Sequence, residues 1–137
     1  VVFGPQLAEA KRDELLARFG KLLNVTFSDF EPDLTQLYSD ADVVVSMAGY
    51  NTVCELLSHK KSAVLVPRSE PVQEQLMRAL LLADHGFFQT IEPDELTAET
   101  MKNKIIAAIK TKSLTRHLLD LDGLRRINDR VRDLLAN

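Results

Sequence analysis

The sequence predicts an α/β fold, a Rossmann-like parallel sheet flanked by helices, on three observations. Short apolar runs recur at 1–3, 24–27, 42–46, 63–66 and 87–91, and the intervals between them are long enough for crossover helices. The runs Val43-Val44-Val45 and Ala63-Val64-Leu65-Val66 show no polar alternation. Strands alternating with helical segments are the rhythm of a parallel sheet, and an unalternating strand is one covered on both faces. Both aliphatic runs are therefore expected to be fully buried.

In chain order, Val1-Val2-Phe3 reads as a strand ending in the turn Gly4-Pro5, with no methionine and no polar lead-in, so the chain is expected to begin inside a longer protein. Helices are expected at 6–19, 33–39, 50–58, 71–85, 97–110 and 121–136. The fourth is the best delimited. Pro71 suits a first helical turn, where a missing N–H costs nothing, and Gly86 suits a left-handed position closing the helix. Its apolar stripe is Val72, Leu76, Leu80 and Ala83, with Gln75 at the edge, facing either a cleft or solvent. The segment 114–124 fits neither pattern clearly. No repeat, low-complexity tract or linker divides the chain, so residues 1–137 are expected to form one domain.

Composition narrows function only by exclusion. Hydrophobic residues at 45% and charged ones at 27% are those of an ordinary globular chain. The 17 basic and 20 acidic residues are mixed along its length and give a net charge of -3, which offers no cationic footprint for nucleic acid. Cys54 is the only cysteine; it suits a reducing cytoplasm and is read as a small buried hydrophobe. The longest aliphatic run, 79–83, is far short of the ~20 residues of a membrane helix. His59, His85 and His117 lack acidic or cysteine partners at ligand spacing and read as structural. Arg125, Arg126, Arg130 and Arg132 share a helix with Asp122, Asp129 and Asp133, so that cluster reads as a solvated face that pairs with itself.

The informative stretch runs from Ala41 to Glu55: a buried strand, the small-residue turn Ser46-Met47-Ala48-Gly49, then a helix. In open α/β sheets, ligands sit beyond the carboxyl ends of the strands, where a helix that starts there aims unpaired N–H groups. Gly49 would let a diphosphate approach the backbone, and the N–H groups of Tyr50, Asn51 and Thr52 with the helix dipole would stabilise its charge. Glu55, a turn further on, could accept hydrogen bonds from both hydroxyls of a ribose. The competing reading is a capping box, with Thr52 as N-cap and Glu55 folding back on it, which would shorten the helix to 53–59.

Over residues 24–96 the sequence resembles the C-terminal domain of glycosyltransferase family 28, in which a strand ending Ala-Asp-Val-Val-Val leads to a glycine, a threonine and a glutamate at the spacing of Gly49, Thr52 and Glu55. The stretch from Val45 to Glu55, with Val66-Pro67-Arg68 and Glu74-Gln75-Leu76, is similar to a group of predicted bacterial glycosyltransferases. The resemblance implies the donor-binding half of a two-domain (GT-B) enzyme, truncated at its N-terminal side and without its acceptor domain. It implies metal-independent transfer from a nucleotide-diphosphate sugar, a uridine-diphosphate sugar above all, with no cofactor. The catalytic base would belong to the absent domain, so none is assigned here, and any membrane contact would be made through that missing half. Phe30 and the backbone of Glu31 fall where the family holds uracil, the glycine-to-threonine turn from Gly49 to Thr52 where it holds diphosphate, Glu55 where it holds ribose and Gln75 where it touches the donor sugar; Ser46 is counted among the nucleotide-sugar-binding residues with them. For Phe30, core packing is the competing reading. Arg68, which could pair with a phosphate or a sugar carboxylate, or with Glu70 or Glu74, departs from the aromatic residue of a well-known member. Two alternatives stay open: a nucleotide-sugar epimerase or hydrolase, for which Arg68-Ser69-Glu70-Pro71 offers slight support, and a non-catalytic domain of the same fold.

Overall fold

The strand β2 (Ser62–Leu65) is the centre of the structure: Ala63, Val64 and Leu65 are at most 1% exposed. The computed structural model describes residues 1–71, 73–111 and 122–136, in two units, Val1–Leu37 and Tyr38–Asn137. In the second unit β2 lies between β1 (Val43–Ser46) and β3 (Gln89–Thr90), all parallel, with Val45 opposite Val64 and Leu65 opposite Thr90. Parallel neighbours need crossovers, which are supplied by α3 (Tyr50–Ser58) and α4 (Glu74–Asp84). The α/β reading therefore holds.

Val64, Ile91 and Ala108 form a buried cluster against which Val43, Val66, Met101 and Ile105 pack, bringing α5 (Ala98–Lys110) onto the sheet. α3 contributes Val53 and Leu56, three residues apart on one helical face, and α4 contributes Ala79. A fully buried leucine such as Leu56 is worth roughly 1.5–3 kcal/mol over an exposed one. The buried Thr90 hydroxyl donates to the Ala79 carbonyl at 3.1 Å and fastens α4 to β3. Lys61 donates to the carbonyls of Ser39 and Ala41 at 2.8 and 3.1 Å, at the end of α2 (Thr35–Asp40), where a cation meets the negative end of the helix dipole.

Several expectations are corrected. Val43 and Val44 are only half-buried and Val45 is 47% exposed, because among the described residues β1 has a strand partner on one side only. α4 starts at Glu74 with Gln73 as N-cap, so Pro71, which follows a cis peptide bond, precedes the helix. Its inward stripe is centred on Ala79 with Leu76, Leu82 and Ala83 beside it, while Leu80 is exposed; Val72 lies outside the described residues. Cys54 is exposed, since Val53 and Leu56 take the inward face of α3. By contrast, α3 spans 50–58 as expected, Gly86 has φ 73°, and Thr97 caps α5 in a reciprocal pair with Thr100.

In the first unit, α1 (Glu9–Phe19) buries no residue. Phe3 stacks on Phe27 at 5.4 Å, and Arg12 lies over the Phe3 ring and pairs with Asp29 at 2.7 Å. The strands expected at 1–3 and 24–27 shrink to one parallel bridge, Val2 with Ser28. A turn closed by Val25 N–H on the Leu22 carbonyl takes up the start of the second run. On the exposed surface of α1, Lys11 holds the Glu14 carboxyl below the usual range, by its hydrogen bond and its charge.

α6 (Gly123–Leu135) buries none of its residues and pairs Arg125 with Asp122 at 2.7 Å and Arg132 with Asp129 at 3.8 Å, the self-pairing expected of that face. His117 and most of the unassigned 114–124 segment lie outside the described residues. Among those described, no helix is long and apolar enough to cross a membrane.

Candidate functional site

Gly49 is the N-cap of α3, in extended backbone (φ -62°, ψ 146°), and no side chain caps the helix. The first helical bond is Val53 N–H to the Gly49 carbonyl at 3.0 Å. Helix geometry then leaves the N–H groups of Gly49, Tyr50, Asn51 and Thr52 without intrahelical partners at the carboxyl end of β1. This start excludes the capping-box reading, because Thr52 is already inside the helix. Gly49 is not needed for its φ; a Cβ there would meet only Thr52 Oγ1, at 3.9 Å. The space that a side chain would occupy there is otherwise open. Tyr50 and Asn51 are exposed and Thr52 half-buried, while the half-buried Ser46 turns its hydroxyl to the Met47 carbonyl at 3.1 Å.

Glu55 is exposed, and its Oε2 accepts a hydrogen bond of 2.9 Å from the hydroxyl of Tyr38, a residue only 4% exposed. Burial, then the bond to Glu55 and that carboxylate's charge, push the Tyr38 phenol up to about 12. The ring is steadied by His59, centroid to centroid 5.6 Å. Glu55 is thus held by one oxygen. Tyr38 is a residue that sequence reasoning misses: its hydroxyl comes from 17 positions upstream, and no local pattern joins it to Glu55.

Arg78 is the second missed residue. From α4 its Nη1 donates to the Ala48 carbonyl at 2.7 Å, its other amino group pairs with Glu74, and its guanidinium carbon lies 5.7 Å from the Tyr50 ring centroid. An arginine of α4, its charge paired with Glu74, therefore lies beside the start of α3. Gln75, neither plainly exposed nor free in a cleft, accepts from the backbone N–H of Arg68 at 3.3 Å. The Arg68 side chain is exposed and makes no ion pair among the described residues; Glu74 is taken by Arg78 instead. Phe30 and Glu31 belong to the Val1–Leu37 unit and are both exposed, Phe30 at 60%, so the core-packing alternative for Phe30 fails. His85 caps its own helix through the Leu81 carbonyl at 2.8 Å, a structural role as expected.

Residues 1–117 match the glycosyltransferase family 28 C-terminal domain. The chain belongs to that family. It is similar to UDP-N-acetylglucosamine--N-acetylmuramyl-(pentapeptide) pyrophosphoryl-undecaprenol N-acetylglucosamine transferase of Haemophilus influenzae, 30% identical over 118 residues that make up 85% of this chain and 32% of that protein. The same-named protein of Haemophilus ducreyi is 32% identical over 89 residues, 65% of this chain and 25% of its own. That of Actinobacillus pleuropneumoniae is 36% identical over 76 residues, 56% and 22%. This family 28 domain thus spans about a third or less of the length of these bacterial relatives.

The expectation of metal-free chemistry takes the chain to hold no Asp-x-Asp triplet, and that is incorrect: Asp40-Ala41-Asp42 has the two-apart carboxylate spacing that can share a cation. Asp40 ends α2 and Asp42 precedes β1, so both stand at the amino end of the strand, whereas the Gly49 turn leaves its carboxyl end. Four strand residues, about 13 Å, separate the two ends. A second such triplet, Asp120-Leu121-Asp122, falls mainly outside the described residues.

Proposed function

We propose that this domain binds the nucleoside-diphosphate part of a sugar donor, specifically a uridine-diphosphate sugar, and that the full-length protein is a hexosyltransferase. The observation that carries the reading is the row of N–H groups from Gly49 to Thr52, one turn before a carboxylate already oriented by Tyr38. The N–H row and the helix dipole suit a diphosphate, and the free acceptor sites of Glu55 suit the two ribose hydroxyls. As the bond to the sugar breaks, negative charge grows on the leaving diphosphate, and the same N–H groups, with Arg78 nearby, stabilise it without a metal. Gln75 and Arg68, joined by their hydrogen bond, are proposed to meet the donor sugar. For Phe30 and the backbone of Glu31 as uracil contacts, the support is the family resemblance and the exposure of Phe30.

The relatives' name gives N-acetylglucosamine as the sugar moved and a pyrophosphoryl-undecaprenol lipid as acceptor. We carry over the reaction class and leave sugar and acceptor open. The catalytic base, the acceptor site and any membrane contact are assigned to the portion of the relatives that this chain does not span. The exposed, unpaired Cys54 suits a reducing cytoplasm. The test is a titration of the chain with uridine diphosphate, followed by amide NMR and repeated with Glu55→Ala. Shifts concentrated between Gly49 and Glu55, weakened by the substitution, are expected; shifts scattered elsewhere, or none at millimolar nucleotide, would count against the site.

A further inference from the structure

We propose that Arg78 is a positioning residue for the diphosphate, acting through the peptide bond between Ala48 and Gly49. The inference rests on the nucleotide reading above and adds a residue of α4 to a site otherwise built from the turn and α3. An arginine four residues after a glutamate on a helix is ordinarily a surface ion pair of little consequence. Two observations set this one apart. Its side chain is only 18% exposed, against 68% for Glu74, and its Nη1 reaches off the helix to the Ala48 carbonyl at 2.7 Å, 30 positions upstream.

Ala48 is fully buried, so its carbonyl needs a protein partner, and Arg78 supplies one. In a planar trans peptide, C=O and N–H point in opposite directions, so fixing the Ala48 carbonyl towards α4 fixes the Gly49 N–H away from it. That N–H heads the row at the α3 terminus. Gly49 and the residues around it carry no cap that would hold this plane otherwise. The guanidinium is itself steadied against the exposed Tyr50 ring at 5.7 Å, so its charge stays by the first turn. Arg78 thus aims a donor at the place where diphosphate would lie, while its own charge is matched by Glu74. That effect acts on phosphate, and not on the nucleoside.

The experiment compares Arg78→Gln with the parent chain in titrations with uridine diphosphate and with uridine, and follows the Gly49 amide resonance before any ligand is added. The expected result is about a tenfold loss of affinity for the diphosphate with uridine affinity kept, as for loss of one charge-assisted contact, and a shifted Gly49 amide in the free protein. Equal losses for the two ligands would make Arg78 merely structural and overturn the proposal. So would unchanged diphosphate affinity or an unmoved Gly49 amide. A parent chain that binds neither ligand refutes the nucleotide reading itself and takes this proposal with it, whereas a binding parent with an indifferent variant sinks the Arg78 role alone. Should Arg78→Gln not fold, Arg78→Lys carries the same comparison: it keeps the charge, loses the fork, and is expected to retain part of the diphosphate affinity.

Discussion

Replacing Tyr38 with phenylalanine deletes a single oxygen and leaves the buried ring in place against His59. The lost bond is 2.9 Å long and ends on a carboxylate. Hydrogen bonds to charged groups contribute about 1.5–3 kcal/mol. Because Glu55 is exposed, water replaces the phenol, and the low end, ~1.5 kcal/mol, applies. If Glu55 holds ribose, freeing it to other rotamers weakens uridine diphosphate binding by about tenfold. Isothermal titration with uridine diphosphate and with its 2′,3′-dideoxy analogue separates this from general damage: Tyr38→Phe should weaken the first and spare the second. In a Glu55→Ala background the same substitution should do nothing further. Equal weakening for both ligands, or an undiminished effect when Glu55 is absent, would refute the claim that Tyr38 acts through this carboxylate.

Gly49→Ala should leave thermal stability within ~0.5 kcal/mol, since the backbone is ordinary and the new methyl meets only Thr52 Oγ1 at 3.9 Å, yet weaken uridine diphosphate binding by standing before the N–H row; a variant that binds as well as the parent would show that no ligand approaches there. Gly86→Ala, at φ 73°, should cost roughly 1–2 kcal/mol in thermal denaturation, the penalty of a left-handed position for a residue with a Cβ. Tyr38 adds a pH dependence. Its folded pKa, about 12, lies above the ordinary 10.0, so its contribution, at most about 3 kcal/mol, is fully present below pH ~10 and fades as pH rises towards 12. Phenolate absorbance in a Tyr50→Phe chain should show this, and Glu55→Gln should lower the midpoint only in part, because burial is the largest cause; a midpoint that does not move with Glu55→Gln would contradict the coupling.

Much of this was legible in the sequence, and what was not has a physical pattern. α3 could be bounded because a glycine turn and an apolar i, i+3 pair, Val53 and Leu56, mark it locally. Gly86 could be assigned because a helix end that turns left-handed selects for glycine, and β2 because four consecutive aliphatic residues suit a central strand. β1 looked just as central, but its half-exposure depends on which strand lies beside which, and the run of valines does not encode that. Pro71 looked like a helix start because it is allowed at one; the helix begins three residues later, at Glu74. Within the candidate site, Gly49 to Glu55 could be read because a single turn and helix hold them. Tyr38 and Arg78 could not, since their bonds close over 17 and 30 positions.

The most direct test of the central claim is a structure of this chain determined with uridine diphosphate bound. Diphosphate oxygens within hydrogen-bond distance of the N–H groups from Gly49 to Thr52, with ribose hydroxyls on Glu55 and Tyr38 still donating to that carboxylate, are what the account predicts. Nucleotide bound elsewhere on the domain, with the α3 terminus empty, would contradict it.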